Sequence, residues 1–323
     1  MSDLGHVLVL AGGLSYEREV SLRSGRRLSE VLRSVGIDVE TRDTDAALVP
    51  SVLAERPDAV FVTLHGGAGE DGAIRSILEL LNVPYVGAGP DACRVAFDKP
   101  TAKAVVRSVG LRTPDSVTLP KETFHDLGAS AVLTRIIEHL GLPLFVKPAR
   151  GGSALGASAV RTAEELPAAM VGCFAYGDTA LIERLVEGVE VSVSVIDQGD
   201  GPVALPPVEI VPDAGVYDYA ARYTAGHTEF FAPARLSPEA AAACAEMAVT
   251  AHTALGLRDL SRTDLIVDSA GLPHFLEVNV APGMTETSLF PMAVEAAGQD
   301  LGTLCRTLLE IAASRASTPH HPA

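Results

Sequence analysis

Two short apolar runs, each ending in a glycine-rich turn, do most to restrict how this chain can fold. His6–Leu10 runs into Ala11-Gly12-Gly13, and Ala59–Leu64 runs into His65-Gly66-Gly67-Ala68-Gly69-Glu70-Asp71-Gly72. Between them lie an amphipathic stretch with Val20, Leu28, Val31 and Leu32 at helical spacing and a further strand candidate at Ile37–Val39. Strands that alternate with helices and meet them at glycine turns predict a parallel, doubly wound sheet. In such sheets ligands gather at the carboxyl ends of the strands, where both glycine loops fall. Function is expected at that edge.

The pattern changes near Gly89. Helices are predicted over Pro90–Gly110 and Glu122–Leu140, and strands over Pro143–Val146 and Ala157–Val160 about another glycine loop. Leu181–Leu185 and Val189–Ile196 read as strands, with Gln198-Gly199-Asp200-Gly201 as a hairpin turn before Pro202–Val211. Pro212–His227 has no periodicity and carries three of the six tyrosines, Tyr217, Tyr219 and Tyr223. An aperiodic segment of that length, rich in aromatics, reads as a lid. An alanine-rich helix (Pro238–Leu255), two strands about Asp268–Gly271 and a last helix (Leu301–Ala313) complete the α+β remainder.

Charge narrows the function. Acids outnumber bases by 41 to 25, a net charge of −16, which argues against nucleic acid or an anionic membrane as partner. Only four of the bases are lysines: Lys99, Lys103, Lys121 and Lys147. Binding of an anion must therefore rest on a small local cluster. No apolar run reaches the roughly 18 residues of a membrane-spanning helix, and no secretion signal is visible. Cys93, Cys173, Cys244 and Cys305 are widely spaced and read as buried thiols in a reducing cytoplasm.

The most informative segment is Arg262-Thr-Asp264-Leu-Ile-Val-Asp268-Ser-Ala-Gly271-Leu-Pro-His-Phe-Leu-Glu277-Val-Asn279. With Ala270-Gly271 as a two-residue hairpin turn, Asp264 falls opposite Glu277 and Arg262 opposite Asn279. Side chains two apart share a face, so these four converge while Leu265, Val267, Leu276 and Val278 line the other side. Two carboxylates and an amide oxygen suit Mg²⁺ held jointly with phosphate oxygens, with the arginine answering the remaining negative charge. A solvated face of an amphipathic hairpin would have the same spacing.

Leu144-Phe-Val-Lys147-Pro-Ala-Arg150-Gly-Gly-Ser153-Ala-Leu-Gly156 places a lysine at a strand end before a glycine loop, the elements that cradle polyphosphate, although it is not a Walker A string. Together with the hairpin it favours a magnesium–nucleotide site. Lys99 precedes a helix and is within reach of a phosphate in principle. Glu183 and Glu190 offer carboxylates to an adenine amino group and a ribose, or are ordinary strand-end charges. Glu17 and Ser15 either cap the first helix or give a substrate ammonium its counter-charge. His65 opens the second glycine loop, as a structural residue or at the ligand edge.

Taken in order, the strings Gly12-Gly-x-Ser-x-Glu17-Arg-Glu-Val-Ser, Leu64-His-Gly-x-x-Gly-Glu70-Asp-Gly, Asp98-Lys99, Val146-Lys147-Pro, Tyr217-Asp-Tyr, Arg262-x-Asp264 and Glu277-x-Asn279-x-x-Pro282-Gly283-Met284-Thr285 resemble the D-alanine–D-alanine ligase family. The match runs from about His6 to Ala313. The resemblance implies a three-domain ATP-grasp fold: an N-terminal doubly wound α/β domain (1–89), a central domain (90–185) and a C-terminal domain (186–323) with a lid at 212–228, the latter two clasping ATP. It implies ligation of two D-alanines through an acyl-phosphate, for peptidoglycan precursors, in a cytoplasmic homodimer. Lys99, Lys147 and Arg222 would meet the phosphates, with Glu183, Arg184, Val186 and Glu190 around adenine and ribose. Asp264, Glu277 and Asn279 would hold Mg²⁺, two ions by family pattern, with Mn²⁺ as a substitute. Glu17 would grip the first ammonium in a set with Ser153 and Tyr223. Arg262 and the Gly283 N–H would stabilise the tetrahedral oxyanion. His65, Ser288 and Leu289 would join the substrate sites, the last two at the second carboxylate.

Some positions depart from that pattern. Arg184 and Arg222 stand where lysines are usual, keeping the charge but not its shape. Gly152-Ser153-Ala154 has one serine fewer near the phosphates. Glu286 lies beside the second-substrate subsite, where a carboxylate either alters selectivity or points away. It motivates the alternative of a specialised paralogue joining D-alanine to another amino acid, in secondary metabolism or resistance. A nicotinamide dehydrogenase is disfavoured because Gly12-Gly13-Leu14 does not extend to Gly-x-Gly-x-x-Gly. A non-catalytic nucleotide-binding regulator would keep the lysines and metal ligands but release no phosphate.

Overall fold

A computed structural model describes residues 4–213 and 228–316 and resolves the chain into three sheets. The first contains β1 (His6–Leu10), β2 (Asp38–Arg42), β3 (Ala59–Val62) and β4 (Tyr85–Val86), all parallel in the order β2-β1-β3-β4. Alternate residues of β1 go to opposite cores, as a period of two requires. Val7 and Val9 pack with Leu28 and Leu32 of α1 (Arg18–Ser34), whereas Leu8 and Leu10 meet Leu48 and Val52 of α2 (Leu48–Glu55) and Ile74 and Leu78 of α3 (Ala73–Leu80). Helices on both faces make this the expected doubly wound unit.

The helix expected over 90–110 is two helices, α4 (Pro90–Phe97) and α5 (Lys99–Ser108). Asp98 turns extended between them, and its carboxylate accepts the Thr101 N–H at 3.0 Å, capping α5. That cap puts Lys99 on the first turn of α5. The second expected helix also divides, at Gly128 with φ +83°, into α6 (Lys121–Leu127) and α7 (Ala129–Leu140). The second sheet is antiparallel: β5 (Ser116–Pro120), β8 (Thr179–Arg184), β6 (Leu144–Pro148) and β7 (Ser158–Val160), in that spatial order. Its core is closed by α7 and by α8 (Leu166–Phe174), which follows β7.

The third sheet runs β12-β11-β9-β13-β14, with β10 also on β9. Its members are β9 (Val189–Asp197), β10 (Pro202–Ala204), β11 (Val208–Pro212), β12 (Thr228–Phe231), β13 (Leu260–Val267) and β14 (Pro273–Asn279). One face buries Val191, Val193, Leu265 and Phe275 against α4, α5 and α9 (Pro238–Ala254). Residues on the other side share a core with α10 (Leu289–Ala296) and α11 (Leu301–Ala316), and that core continues onto the first sheet. All four cysteines are buried and free, as expected. No described helix is long and apolar enough to cross a membrane.

The β13–β14 hairpin corrects one expectation while keeping another. Arg262 pairs with Asn279 and Asp264 with Glu277, as the parity of the sequence demands. The turn is not a two-residue Ala270-Gly271 hairpin. Val267 already pairs with Pro273, and the register slips between Asp264 and Leu265. Leu276 is the additional residue on β14, a bulge that turns it away from the core face. Phe275 is fully buried in its place, and Leu276 lines the cleft described next.

Candidate active site

A cleft of about 1070 Å³ runs between the second and third sheets and reaches the glycine loops of the first unit. Lys99, Lys147, Glu183, Arg184, Val186, Glu190, Asp264 and Glu277 all line it, and so does Glu17. Most of the described residues predicted for nucleotide and metal therefore face one space with Glu17, while Asn279 and Ser153 stand just behind its lining.

At one end, two glycine loops close on Glu17. A Cβ at Gly66 would lie 2.4 Å from Glu17 Oε2, and one at Gly152 would lie 2.7 Å from it. A side chain at either position would push the Glu17 carboxylate aside, so the backbones of two separate loops approach a single carboxylate. Ser153, held at φ +52°, donates its hydroxyl hydrogen bond to Glu17 Oε1 across 136 residues. Ser15 supports the same corner, donating to the His65 carbonyl at 2.5 Å and accepting the Glu17 N–H at 3.1 Å. Tyr223 and Arg222 lie outside the described residues, as does most of the segment assigned as a lid.

In the middle of the cleft, cations and carboxylates interlock. Lys99 Nζ donates to the Gly151 carbonyl at 2.6 Å and lies 3.3 Å from Glu277 Oε2. Arg262 grips Asp264 bidentately, Nε to Oδ1 at 2.9 Å and Nη2 to Oδ2 at 2.8 Å, and Ser192 donates to Oδ1 at 3.0 Å. With its amide oriented to satisfy both neighbours, Asn279 accepts from Arg262 Nη2 at 2.8 Å and donates to Glu70 Oε1 at 2.8 Å. The donor set is hard oxygen throughout, backed by two cationic side chains, which fits a divalent cation shared with phosphate.

Farther along the cleft, Lys147 Nζ is 2.7 Å from Glu183 Oε1. Burial pushes the Glu183 carboxyl upward, but the Lys147 and Lys103 ammoniums outweigh it and hold the group below its ordinary range. Arg184 is exposed at the cleft rim, with Val186 and Glu190 half-buried beside it.

His65, Arg262, Gly283, Ser288 and Leu289, predicted for the substrates and the oxyanion, are not among the residues that line the cleft. His65 is buried and makes both its hydrogen bonds to protein: Nδ1 to the Ala281 carbonyl and Nε2 to Ser24 Oγ, each 3.0 Å. A carbonyl only accepts, so Nδ1 carries the proton and Nε2 accepts from serine. Burial pushes the ring down to about 4, leaving it neutral. Ser24 in turn accepts the Met284 N–H at 3.1 Å, and Arg75 donates to the Gly69 and Val280 carbonyls at 2.6 and 3.4 Å. The first unit thus braces both sides of Gly283. Ser288 directly precedes α10; its Oγ accepts the Thr285 N–H at 3.0 Å and would lie 2.6 Å from a Cβ at Gly283. Leu289 is buried behind it.

Four residues escaped sequence reasoning. Lys103 bonds to Glu183, and Glu70 reaches the Asn279 amide. Arg75 and Ser24 belong to the brace just described. Burial, then the neighbouring Glu17 carboxylate, push Glu70 up to about 8. A signal existed for Lys103, which follows Lys99 by one helical turn. Glu286 is exposed and forms an ion pair with Arg27 at 3.1 Å.

A family profile described as D-ala D-ala ligase C-terminus matches residues 105–310, and one described as D-ala D-ala ligase N-terminus matches residues 40–88. The chain is 40% identical over 304 residues to the D-alanine–D-alanine ligase of Pelotomaculum thermopropionicum, covering 94% of this chain and 95% of that protein. Among solved structures it is similar to the Bacillus anthracis D-alanine–D-alanine ligase complexed with ATP (TM-score 0.80, 26% identity, 97% and 98% of the two chains). It is similar also to the VanG D-Ala:D-Ser ligase of Enterococcus faecalis (TM-score 0.81, 28% identity, 96% and 100%).

Proposed function

The chain belongs to the D-alanine–D-alanine ligase family, and we propose from that premise how its residues divide the work. It is an ATP-dependent ligase that joins two D-alanines into the dipeptide used for peptidoglycan precursors. The observation that carries the residue assignment is the shared cleft: Glu17 with Ser153 at one end, and Lys99, Glu277 and Asp264 one glycine loop away.

Lys99 and Lys147 meet the nucleotide phosphates, with Arg222 from the undescribed segment as a third cation. Glu183, Arg184, Val186 and Glu190 surround the adenosine. Asp264, Glu277 and Asn279 supply oxygens to magnesium, which neutralises phosphate charge when bound. Glu17, supported by Ser153 and Tyr223, holds the first D-alanine ammonium and so aims its carboxylate at the terminal phosphoryl group. Phosphoryl transfer gives an acyl-phosphate and ADP, turning a poor electrophile into one with a good leaving group. The second D-alanine attacks as free amine, phosphate departs, and one amide bond has formed. Arg262 and the Gly283 N–H stabilise the oxyanion on the way. His65 acts by holding the Ala281 carbonyl, next to that N–H, while Ser288 and Leu289 shape the second site. The acyl-phosphate hydrolyses readily, so a cover over the cleft is needed, and the 212–228 segment is suited to it.

The division 1–89, 90–185 and 186–323 is a working one, since α4, α5 and α11 pack against sheets outside their own segments. A homodimer in the cytoplasm, with two Mg²⁺ ions per site, completes the proposal. The likeness to a D-alanine–D-alanine ligase 40% identical over nearly the whole chain favours D-alanine over the paralogue alternative. A phosphate-release screen over pairs of D- and L-amino acids and D-lactate, with product mass, tests the reading. Release with D-alanine alone and a D-alanyl-D-alanine product are expected. Silence with D-alanine but turnover with a mixed pair overturns it.

A further inference from the structure

Two of the chain's four lysines line this cleft, and a third is buried behind its wall. Lys103 lies one turn after Lys99 on α5, is 1% exposed, and does not line the cleft. Among the described residues its ammonium bonds to Glu183 Oε2 alone. The other oxygen, Oε1, belongs to Lys147 at 2.7 Å. Glu183 is itself 2% exposed, so two ammoniums and one carboxylate are buried together.

We propose that Lys103 is a positioning residue for nucleotide binding: it neutralises Glu183 from behind, so that Lys147 keeps its positive charge for the phosphates. This rests on the reading that ATP occupies the cleft. Charge counting carries the argument. One lysine suffices to neutralise one carboxylate. With Lys147 alone, Glu183 would cancel the cation that faces the cleft and the pair would be neutral. With Lys103 behind it the trio is net positive by one charge. Fixed charge in a poorly solvated pocket acts on a phosphate with little screening. Burying a lysine for stability alone is a poor bargain, because apolar replacements of buried ion pairs are often as stable.

The test compares affinities for ATP and adenosine at fixed magnesium, measured by calorimetry on the full chain, in four proteins. The charge of the Lys103–Glu183–Lys147 trio is +1 in the wild type, 0 in Lys103→Met, +2 in Glu183→Gln and +1 in the double variant, against an otherwise unchanged surround. The expected ATP-to-adenosine ratio falls about tenfold or more in Lys103→Met, rises in Glu183→Gln and returns to near the wild-type value in the double variant. Contacts to adenine lost with Glu183 affect both ligands and cancel in the ratio. Equal weakening of ATP and adenosine in Lys103→Met marks a merely structural lysine and overturns the inference. A double variant with a ratio as low as that of Lys103→Met also overturns it. Should Lys103→Met fail to fold, the comparison of Glu183→Gln with the double variant still decides, because their ratios must differ. A wild type that does not prefer ATP to adenosine removes the nucleotide reading itself, a result visible before any variant is made.

Discussion

Lys99 Nζ sits 3.3 Å from Glu277 Oε2, so a lysine assigned to phosphate and a carboxylate assigned to metal already touch. The pair satisfies both charges in a cleft where each is less than a quarter exposed. Magnesium would take the carboxylate and phosphate the ammonium, a coupled exchange of partners. Glu277→Gln removes one anionic donor and leaves Lys99 without its counter-charge. The magnesium concentration for half-maximal phosphate release should rise about tenfold or more, with kcat down about a hundredfold. An unchanged magnesium titration would falsify the assignment of the hairpin as a cation site.

The Ser153–Glu17 hydrogen bond joins the second unit's glycine loop to the first unit's helix start. A hydrogen bond to a charged group contributes about 1.5–3 kcal/mol, so Ser153→Ala should raise the KM of the first D-alanine roughly ten- to hundredfold. Gly152→Ala should act similarly without removing a donor, because its Cβ would lie 2.7 Å from Glu17 Oε2. In both variants the KM for ATP should stay within about threefold of wild type. A rise in ATP KM that matches the D-alanine effect would mean the loop serves the nucleotide instead.

Much of this site was readable before the fold, for identifiable reasons. The alternation of strands with glycine turns is a local signal, and the parallel sheet follows from it. The pairing of Asp264 with Glu277 follows from parity alone, and parity survived the mistaken turn because a shorter register and a bulge at Leu276 offset each other. Nothing in the apolar pattern around Leu276 marks a bulge, so its side was misread. Lys103 pairs with a residue 80 positions away, and His65 reaches Ala281 across 216. Such contacts depend on how the sheets dock, which no periodicity reports.

His252 provides a pH test away from the site. It is 1% exposed, its Nδ1 pairs with Ser261 Oγ at 2.8 Å, and burial pushes it down to about 4. The unfolded chain takes up this proton near pH 6.5, whereas the folded ring stays neutral until about pH 4. Stability from His252 is therefore complete above the unfolded value and is lost as pH falls through that window. Relative to His252→Gln, the wild type should lose roughly 3 kcal/mol between about pH 7.5 and pH 4. His65 and the carboxylates remain in both proteins, so their effects cancel. Urea unfolding at a series of pH values would show parallel curves if the ring were protonated in the fold.

The bulge on β14 predicts that two adjacent residues do different jobs. Phe275 is completely buried against α4, α5 and α9, and Phe275→Ala should cost about 3–5 kcal/mol. Leu276 is half-buried, facing the cleft near Ile266 and Glu277. Leu276→Ala should cost less than about 1.5 kcal/mol of stability. It should instead raise the KM for ATP severalfold, by removing apolar surface that a bound base would cover. With a regular two-residue turn the roles would be reversed, since Leu276 would face the core and Phe275 the opposite side. Thermal midpoints and ATP KM for the two variants decide between the registers: a large stability loss in Leu276→Ala with intact ATP binding would restore the regular hairpin.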